Sequence, residues 1–341
     1  MESLKKPVET KEHAWEVLAQ IEEQIRKVII GQDDLIQRIL IGLFGRISYS
    51  FKKGEDEKTG SGHILLEGVP GLAKTLLVSA IASTIDARFQ RIQFTPDMLP
   101  ADILGTKIFD SKSGEFRTET GPIFANIILA DEINRAPQKT QSALLEAMQE
   151  RQVTIGETTY ALDDPFWVLA TQNPVEQEGV FSLPEAQLDR FCMMVRVHYP
   201  SPESEYEMLS ASLEKTRLES VTEPKAVLAI RQLVGQVYVD EKIRRYIVAI
   251  GQNTRANGAN TLPIVDEMVM HGVSPRSYNH LLAMCRAVAF FRRRDYVLPS
   301  DVKYIAPDVL HHRIVRTIRA EVENVESDEI VAEVLRHTPI P

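Results

Sequence analysis

The stretch Gly68-Val69-Pro70-Gly71-Leu72-Ala73-Lys74-Thr75 follows the apolar run Ile64-Leu65-Leu66 and precedes a helical pattern. That order suits the binding of phosphate groups. Glycines let backbone N–H groups crowd around phosphate oxygens, a lysine reaches the outer phosphates, and a hydroxyl holds magnesium. The pattern G-x-x-x-x-G-K-[ST] is met at Gly68, Lys74 and Thr75, with Ala73 in place of the second glycine. Alanine there remains compatible with close packing provided its backbone is helical rather than left-handed. A glycine-rich turn with a solvent-facing lysine would look similar, but the strand–loop–helix context favours the phosphate reading.

Three further groups could complete such a site. Asn126-Ile127-Ile128-Leu129-Ala130-Asp131-Glu132 is an apolar strand ending in two carboxylates. Asp131 would hold the metal and Glu132 would orient or deprotonate the attacking water. Alone such an ending is common, and its weight comes from lying on the next strand but one after Lys74. Ala170-Thr171-Gln172-Asn173-Pro174 ends another apolar run; the Asn173 amide could orient that water, or the segment could be a plain Asn-Pro turn. In Leu183-Pro184-Glu185-Ala186-Gln187-Leu188-Asp189-Arg190-Phe191, Arg190 could neutralise transition-state charge on a neighbour's nucleotide or simply pair with Asp189.

These groups need a scaffold. Apolar runs at 64–66, 89–94, 127–130, 166–170 and 193–195 alternate with helical segments, which predicts a parallel sheet covered on both faces. Before it, Trp15, Leu18, Ile21, Ile25 and Val28 predict an amphipathic helix over 11–28, capped by Thr10 and broken at Gly31. Gly156-Glu157 between two short β-prone runs reads as a hairpin. After residue 200 the strand runs stop and helical patterns fill 206–218, 225–237, 240–253, 277–291 and the segment from 300 onward. The expected division is therefore 1–200 and 201–341.

Composition narrows the functional classes. The 341 residues carry 39 Lys and Arg against 48 Asp and Glu, a formal net charge of −9, which disfavours a protein that coats nucleic acid through bulk charge. An apolar share of 44% with 26% charged residues is that of a folded chain rather than a disordered one. No apolar run approaches the ~18 residues of a membrane-spanning helix. The start, Met1-Glu2-Ser3-Leu4-Lys5-Lys6, lacks the features of a signal peptide. Cys192 and Cys285 sit among large apolar residues, as buried thiols in a reducing compartment do. A cytoplasmic protein is expected. The histidines, His311-His312 included, show no metal-ligand spacing. Arg292-Arg293-Arg294, with Arg286, Arg313, Arg316 and Arg319, reads as a solvated helix face, with nucleic-acid contact the lesser alternative.

Together these motifs resemble the AAA+ ATPases, and more narrowly the MoxR family in the branch with an insertion in the second helix. The resemblance rests on Gly68–Thr75 and on Ala130-Asp131-Glu132-Ile133-Asn134-Arg135-Ala136-Pro137. It rests also on Ser142-Ala143-Leu144-Leu145-Glu146-Ala147-Met148-Gln149-Glu150, Gln172-Asn173-Pro174-Val175-Glu176-Gln177-Glu178-Gly179 and 183–191. It covers about 28–312, nearly the whole chain. The fold it implies is α/β: a P-loop AAA+ core, a parallel five-stranded αβα sandwich with N-terminal helices, followed by a helical linker and a small all-helical lid.

The resemblance also implies roles. ATP and Mg2+ would be bound by Gly68, Val69, Pro70, Gly71, Leu72, Ala73, Lys74 and Thr75, with Thr75 and Asp131 on the metal. Ile30 and Gly31, in Ile30-Gly31-Gln32, would lie against adenine. Glu132, Asn173, Arg190 and Arg276 would be catalytic, Arg276 in Ser274-Pro275-Arg276 being the lid's sensor of the γ-phosphate, in its own subunit or a neighbour's. Segment 95–121 would be the second-helix insertion, where composition alone gives a surface loop. The implied activity is ATP hydrolysis by a ring, a hexamer, that remodels or activates protein clients, among them von Willebrand factor A domain proteins, with no nucleic-acid partner. A nucleic-acid motor, a magnesium-chelatase-like subunit and a non-hydrolysing nucleotide switch are the alternatives. The last is disfavoured by the presence of Lys74, Asp131, Glu132 and Asn173 together.

Overall fold

The computed structural model describes residues 7–48, 59–68, 71, 73–112, 114–173, 180–210, 217–256 and 261–341. They form two compact units, each assembled from three stretches of chain. One comprises Met1–Leu40, His63–Leu183 and Val195–Ile230; the other comprises Ile41–Gly62, Pro184–Met194 and Arg231–Pro341.

The first unit is built on a five-stranded parallel sheet. Its strands are β1 (Ile64–Glu67), β2 (Phe89–Gln93), β3 (Ile127–Asp131), β4 (Trp167–Gln172) and β5 (Met193–Arg196), in the order β5-β1-β4-β3-β2. Register places Leu169 of β4 beside Ile64 on one side and Leu129 on the other. The middle strands are apolar and buried almost throughout because helices cover both faces. On the edge strand β2, only Ile92 is buried, and Gln90 and Arg91 are exposed. Helix α1 (Lys11–Arg26) buries Leu18, Ile21 and Ile25 and starts at Thr10, whose hydroxyl accepts the His13 N–H at 3.3 Å. Helix α2 (Asp33–Phe44) follows Gly31, whose φ of +70° ends the preceding segment. Helices α3 (Lys74–Thr84) and α4 (Gln138–Glu150) complete the αβα arrangement.

Segment 95–121, a loop by composition, is instead a short helix (Pro100–Leu104) and an antiparallel hairpin pairing Gly105–Asp110 with Glu115–Thr120. Phe109 and Phe116 face each other across it with ring centroids 5.2 Å apart, both exposed. The expected hairpin around Gly156 pairs Gln152–Ile155 with Thr158–Ala161.

The second unit is mainly helical. Helix α5 (Glu241–Asn253) is capped by Asp240, which accepts the Lys242 N–H at 2.8 Å. It is followed by α6 (Pro275–Phe291), α7 (Pro299–Leu310) and α8 (Ser327–His337). The helical reading passes over a small antiparallel ladder joining Val269–His271 to Val315–Arg316. Two- and three-residue strands are too short to leave a periodic signal. No helix of the described residues is long and apolar enough to cross a membrane.

Candidate functional site

Residues Glu67, Asp131 and Gln172 end three adjacent or near-adjacent strands, so the parallel sheet brings their side chains to one edge. In open α/β sheets that edge is where ligands bind. Gly68 follows β1 directly, and a Cβ there would come within 2.9 Å of the Val197 carbonyl oxygen, so glycine is required. Gly71 has φ +88° and open space around it. Val69, Pro70 and Leu72 lie outside the described residues. Ala73 departs from expectation: its backbone is left-handed, φ 54° and ψ 22°, not helical. The chain must reverse there to enter α3, so alanine occupies a conformation that glycine adopts without steric cost.

Lys74 opens α3, and its ammonium donates to the Gly68 carbonyl at 2.6 Å. Burial pushes its pKa below the ordinary lysine range, while the carboxylates of Asp131, Glu132 and Glu67 act to raise it. The lysine charge therefore sits in the field of all three acids. Thr75, in the same first turn, is partly buried.

Both Asp131 oxygens are engaged. Thr171 Oγ1 donates to Oδ1 at 2.7 Å, and Arg91 of β2 donates to Oδ2 through Nε at 3.1 Å and a terminal nitrogen at 2.6 Å. Arg91 also donates to Gln93 Oε1 at 2.6 Å, and Gln93 Nε2 donates to Glu132 Oε2 at 2.8 Å. Arg135 pairs with the same Glu132 oxygen at 3.1 Å. Glu132 itself has φ 57° and ψ 49°, and its N–H donates to Thr171 Oγ1 at 2.8 Å. A non-glycine residue held left-handed by its surroundings is a form of strain that clusters at working sites.

Asn173 is buried just beyond β4, and its carbonyl accepts the Asn134 side-chain amide at 3.3 Å. Beside it Gln172 donates to Glu67 at 2.9 Å, and Arg196 of β5 pairs with the other Glu67 oxygen at 3.2 Å. Gly31 packs on Ser204, where a Cβ would sit 2.4 Å from the serine, and Gln32 donates to the His198 carbonyl at 3.1 Å. Gly31 and Gln32 thus sit against the chain that follows β5, with Ile30 beside them in sequence.

Arg190 and Arg276 belong to the second unit. Arg190 does not take Asp189. That carboxylate pairs instead with Arg313 at 2.8 Å and with Arg276 at 3.2 Å. Arg190 is partly exposed, and its side chain has no partner among the described residues. The basic stretch of the lid is a solvated face only in part: Arg292, Arg293 and Arg319 are exposed. Arg313 is buried, Arg292 and Arg294 grip the fully buried Asp301, and Arg286 donates to the Val237 carbonyl at 3.2 Å. Arg313 looks solvated from sequence because its partner Asp189 lies 124 residues away in the chain.

The sequence reading gave no role to Arg91, Gln93, Arg135 or Thr171. The signal for the first two was the three polar residues Gln90, Arg91 and Gln93 within a five-residue strand run, too many for a strand buried on both faces. No group of three or more metal-ligating side chains occurs among the described residues.

Comparison with known proteins agrees with this geometry. Residues 63–193 match the family described as ATPase family associated with various cellular activities (AAA), and residues 262–334 match the AAA lid domain. Chaperone MoxR1 of Mycobacterium tuberculosis is 42% identical over 319 residues, covering 93% of this chain and 81% of that protein. YeaC of Bacillus subtilis is 42% identical over 329 residues, 95% of each. A crystal structure from Cytophaga hutchinsonii superimposes with a TM-score of 0.87 at 44% identity over 97% of both chains. With a five-stranded parallel core, a phosphate-loop motif, a paired acid ending on β3 and a separate lid, the chain belongs to the MoxR-type AAA ATPases.

Proposed function

We propose that this chain hydrolyses ATP with magnesium and, as a ring of six, uses the cycle to remodel or activate protein clients in the cytoplasm. The observation that carries the reading is the meeting of Lys74, Asp131 and Glu132 at one sheet edge, with Asn173 just past the end of the neighbouring strand. Lys74 binds ground-state phosphates in exchange for the Gly68 carbonyl. Glu132 takes the proton of the attacking water, and Asn173 orients that water. Ile30 and Gly31 flank the base. Arg190 serves the nucleotide of the neighbouring subunit, and Arg276 senses the γ-phosphate from the lid.

The residues suit a magnesium ion. Asp131 is a partly buried carboxylate whose present countercharge, Arg91, is half exposed and can swing away. Thr75 and Asp131 would hold the ion, which when bound neutralises phosphate oxygens. The chaperone name of the Mycobacterium relative supports protein clients, and von Willebrand factor A domains are the proposed class. The internal commitment of the lid arginines supports a protein rather than a nucleic-acid partner.

Affinity capture with Glu132→Gln held in ATP tests the reading. Recovery of von Willebrand factor A domain proteins is the expected result; recovery of nucleic acid alone would overturn it.

A further inference from the structure

The turn after the short helix Glu185–Leu188 carries Asp189, Arg190, Phe191 and Cys192, and three of these four residues are gripped by one side chain. Arg313 has 2% of its side chain exposed. Its Nε donates to Asp189 Oδ1 at 2.8 Å. One terminal nitrogen reaches the Cys192 carbonyl at 3.3 Å and the Val309 carbonyl. The other reaches the Phe191 carbonyl, the Asp189 carbonyl at 3.4 Å and His280 Nδ1 at 2.6 Å. A guanidinium presents five N–H donors in a rigid plane, and here every nitrogen has a partner. Only Arg190 is left out.

Burying an ion pair is weak evidence for stability, because apolar residues of similar volume commonly do as well. What a planar, fully paired fork adds is a fixed geometry. The geometry fixed here is that of a turn whose one unheld side chain is the cation at its centre. Asp189 adds a second link, since Arg276, half exposed, holds its other oxygen at 3.2 Å.

We infer that Arg313 is the positioning residue for Arg190: its buried fork sets the turn so that Arg190 is presented at one place, through an Asp189 anchor shared with Arg276. The inference rests on the reading of Arg190 as the charge delivered to a neighbour's nucleotide. Arg313 is buried with its donors spent on the turn and on its own neighbours, and it acts only through the turn.

The test compares the full-length protein with Arg190→Ala, Arg313→Lys and the double variant, reading kcat, KM and ATP affinity. Lysine keeps the charge and loses the fork. Misplacing a reacting group by ~1 Å can cost about a hundredfold, so Arg313→Lys should lower kcat by roughly tenfold to a hundredfold with KM and affinity nearly unchanged. In the Arg190→Ala background it should add nothing. Hydrogen exchange supplies the second readout: the Arg190 and Phe191 amides, bonded to the Gln187 and Leu188 carbonyls, should exchange faster while α6 and α7 keep their protection.

Parent-level turnover in Arg190→Ala would remove the finger reading and the inference with it. A loss in Arg190→Ala that Arg313→Lys does not share, or that multiplies with it, would overturn the positioning inference alone. If Arg313→Lys fails to fold or loosens the whole lid, Asp189→Asn enters the same cycle. A non-additive loss there supports the inference, and a multiplicative one overturns it.

Discussion

Gln93 donates to Glu132 at 2.8 Å, and the same glutamine accepts from Arg91, which is paired to Asp131. The two acids at the end of β3 are thereby tied to each other through two side chains of β2. A hydrogen bond to the Glu132 oxygen occupies one of its lone pairs and holds that carboxylate away from other partners, a water among them. Gln93→Ala should therefore raise basal ATP turnover while leaving ATP affinity unchanged. A hydrogen bond to a charged group is worth ~1.5–3 kcal/mol, which caps the rise at about a hundredfold. A steady-state assay without client checks this, and a fall in turnover would contradict it.

Lys74 and Glu132 should fail differently. Lys74→Ala should abolish nucleotide binding, because the ammonium meets phosphates in the ground state. Glu132→Gln should keep ATP bound and lose about 10²–10⁴ in rate, the usual contribution of a positioned base. Nucleotide titration alongside single-turnover hydrolysis separates the two, and parent-rate hydrolysis by Glu132→Gln would remove the water-activating role.

Arg190→Ala should retain ATP affinity and lose most activity, since fingers delivered across an interface contribute about 10³–10⁵. Specific activity of the parent protein should rise with protein concentration. Mixing Arg190→Ala with Lys74→Ala should restore little. Full, concentration-independent turnover in a dilute monomer would contradict the ring.

Ala73 gives a prediction about strain. A left-handed alanine costs roughly 1–2 kcal/mol relative to glycine, partly offset by the extra unfolded-state freedom that glycine brings. Ala73→Gly should raise the thermal midpoint slightly or leave it unchanged, with nucleotide binding intact. A clear destabilisation would argue against the observed backbone.

Acid should weaken the lid through His312. Its Nε2 lies 3.4 Å from the Phe191 carbonyl and its Nδ1 is buried without a partner. Burial, with Arg313 and His311 close by, holds its pKa well below the ordinary 6.5. The folded pKa is depressed, so the unfolded chain takes up a proton that the folded one refuses. Stability is thus full above pH 6.5 and falls below it, by up to ~1.4 kcal/mol per pH unit. Urea melts from pH 7.5 to about 5 should show this slope, reduced in His312→Asn.

What the sequence made legible was whatever is local or periodic. The five strands were visible as apolar runs because a doubly covered parallel sheet buries both faces of its middle strands, and Thr10 announced the start of α1. Lys74, Asp131 and Asn173 stood out as candidates because each ends or follows such a run. Gln93 and Arg91 were missed because their importance depends on which strand lies next to β3, and sheet order is not written in any one segment. Arg313 was misread as solvated because its partner, Asp189, is in a distant stretch of chain. Segment 95–121 looked like a loop because a two-stranded hairpin exposed on both faces has no buried alternation to betray it.

The clamp on the Arg190 turn has a consequence for biosynthesis. The turn leaves the ribosome long before the residue that grips it, about 120 residues later. At roughly 5–20 residues per second that interval is on the order of ten seconds. During it the buried-to-be carbonyls of Asp189, Phe191 and Cys192 lack their donor, although the strands of the sheet up to β5 have all been made. A nascent chain can therefore complete its sheet while the turn is still unset, and truncations that stop short of Arg313 should freeze that state, with a bound nucleotide and no competent Arg190.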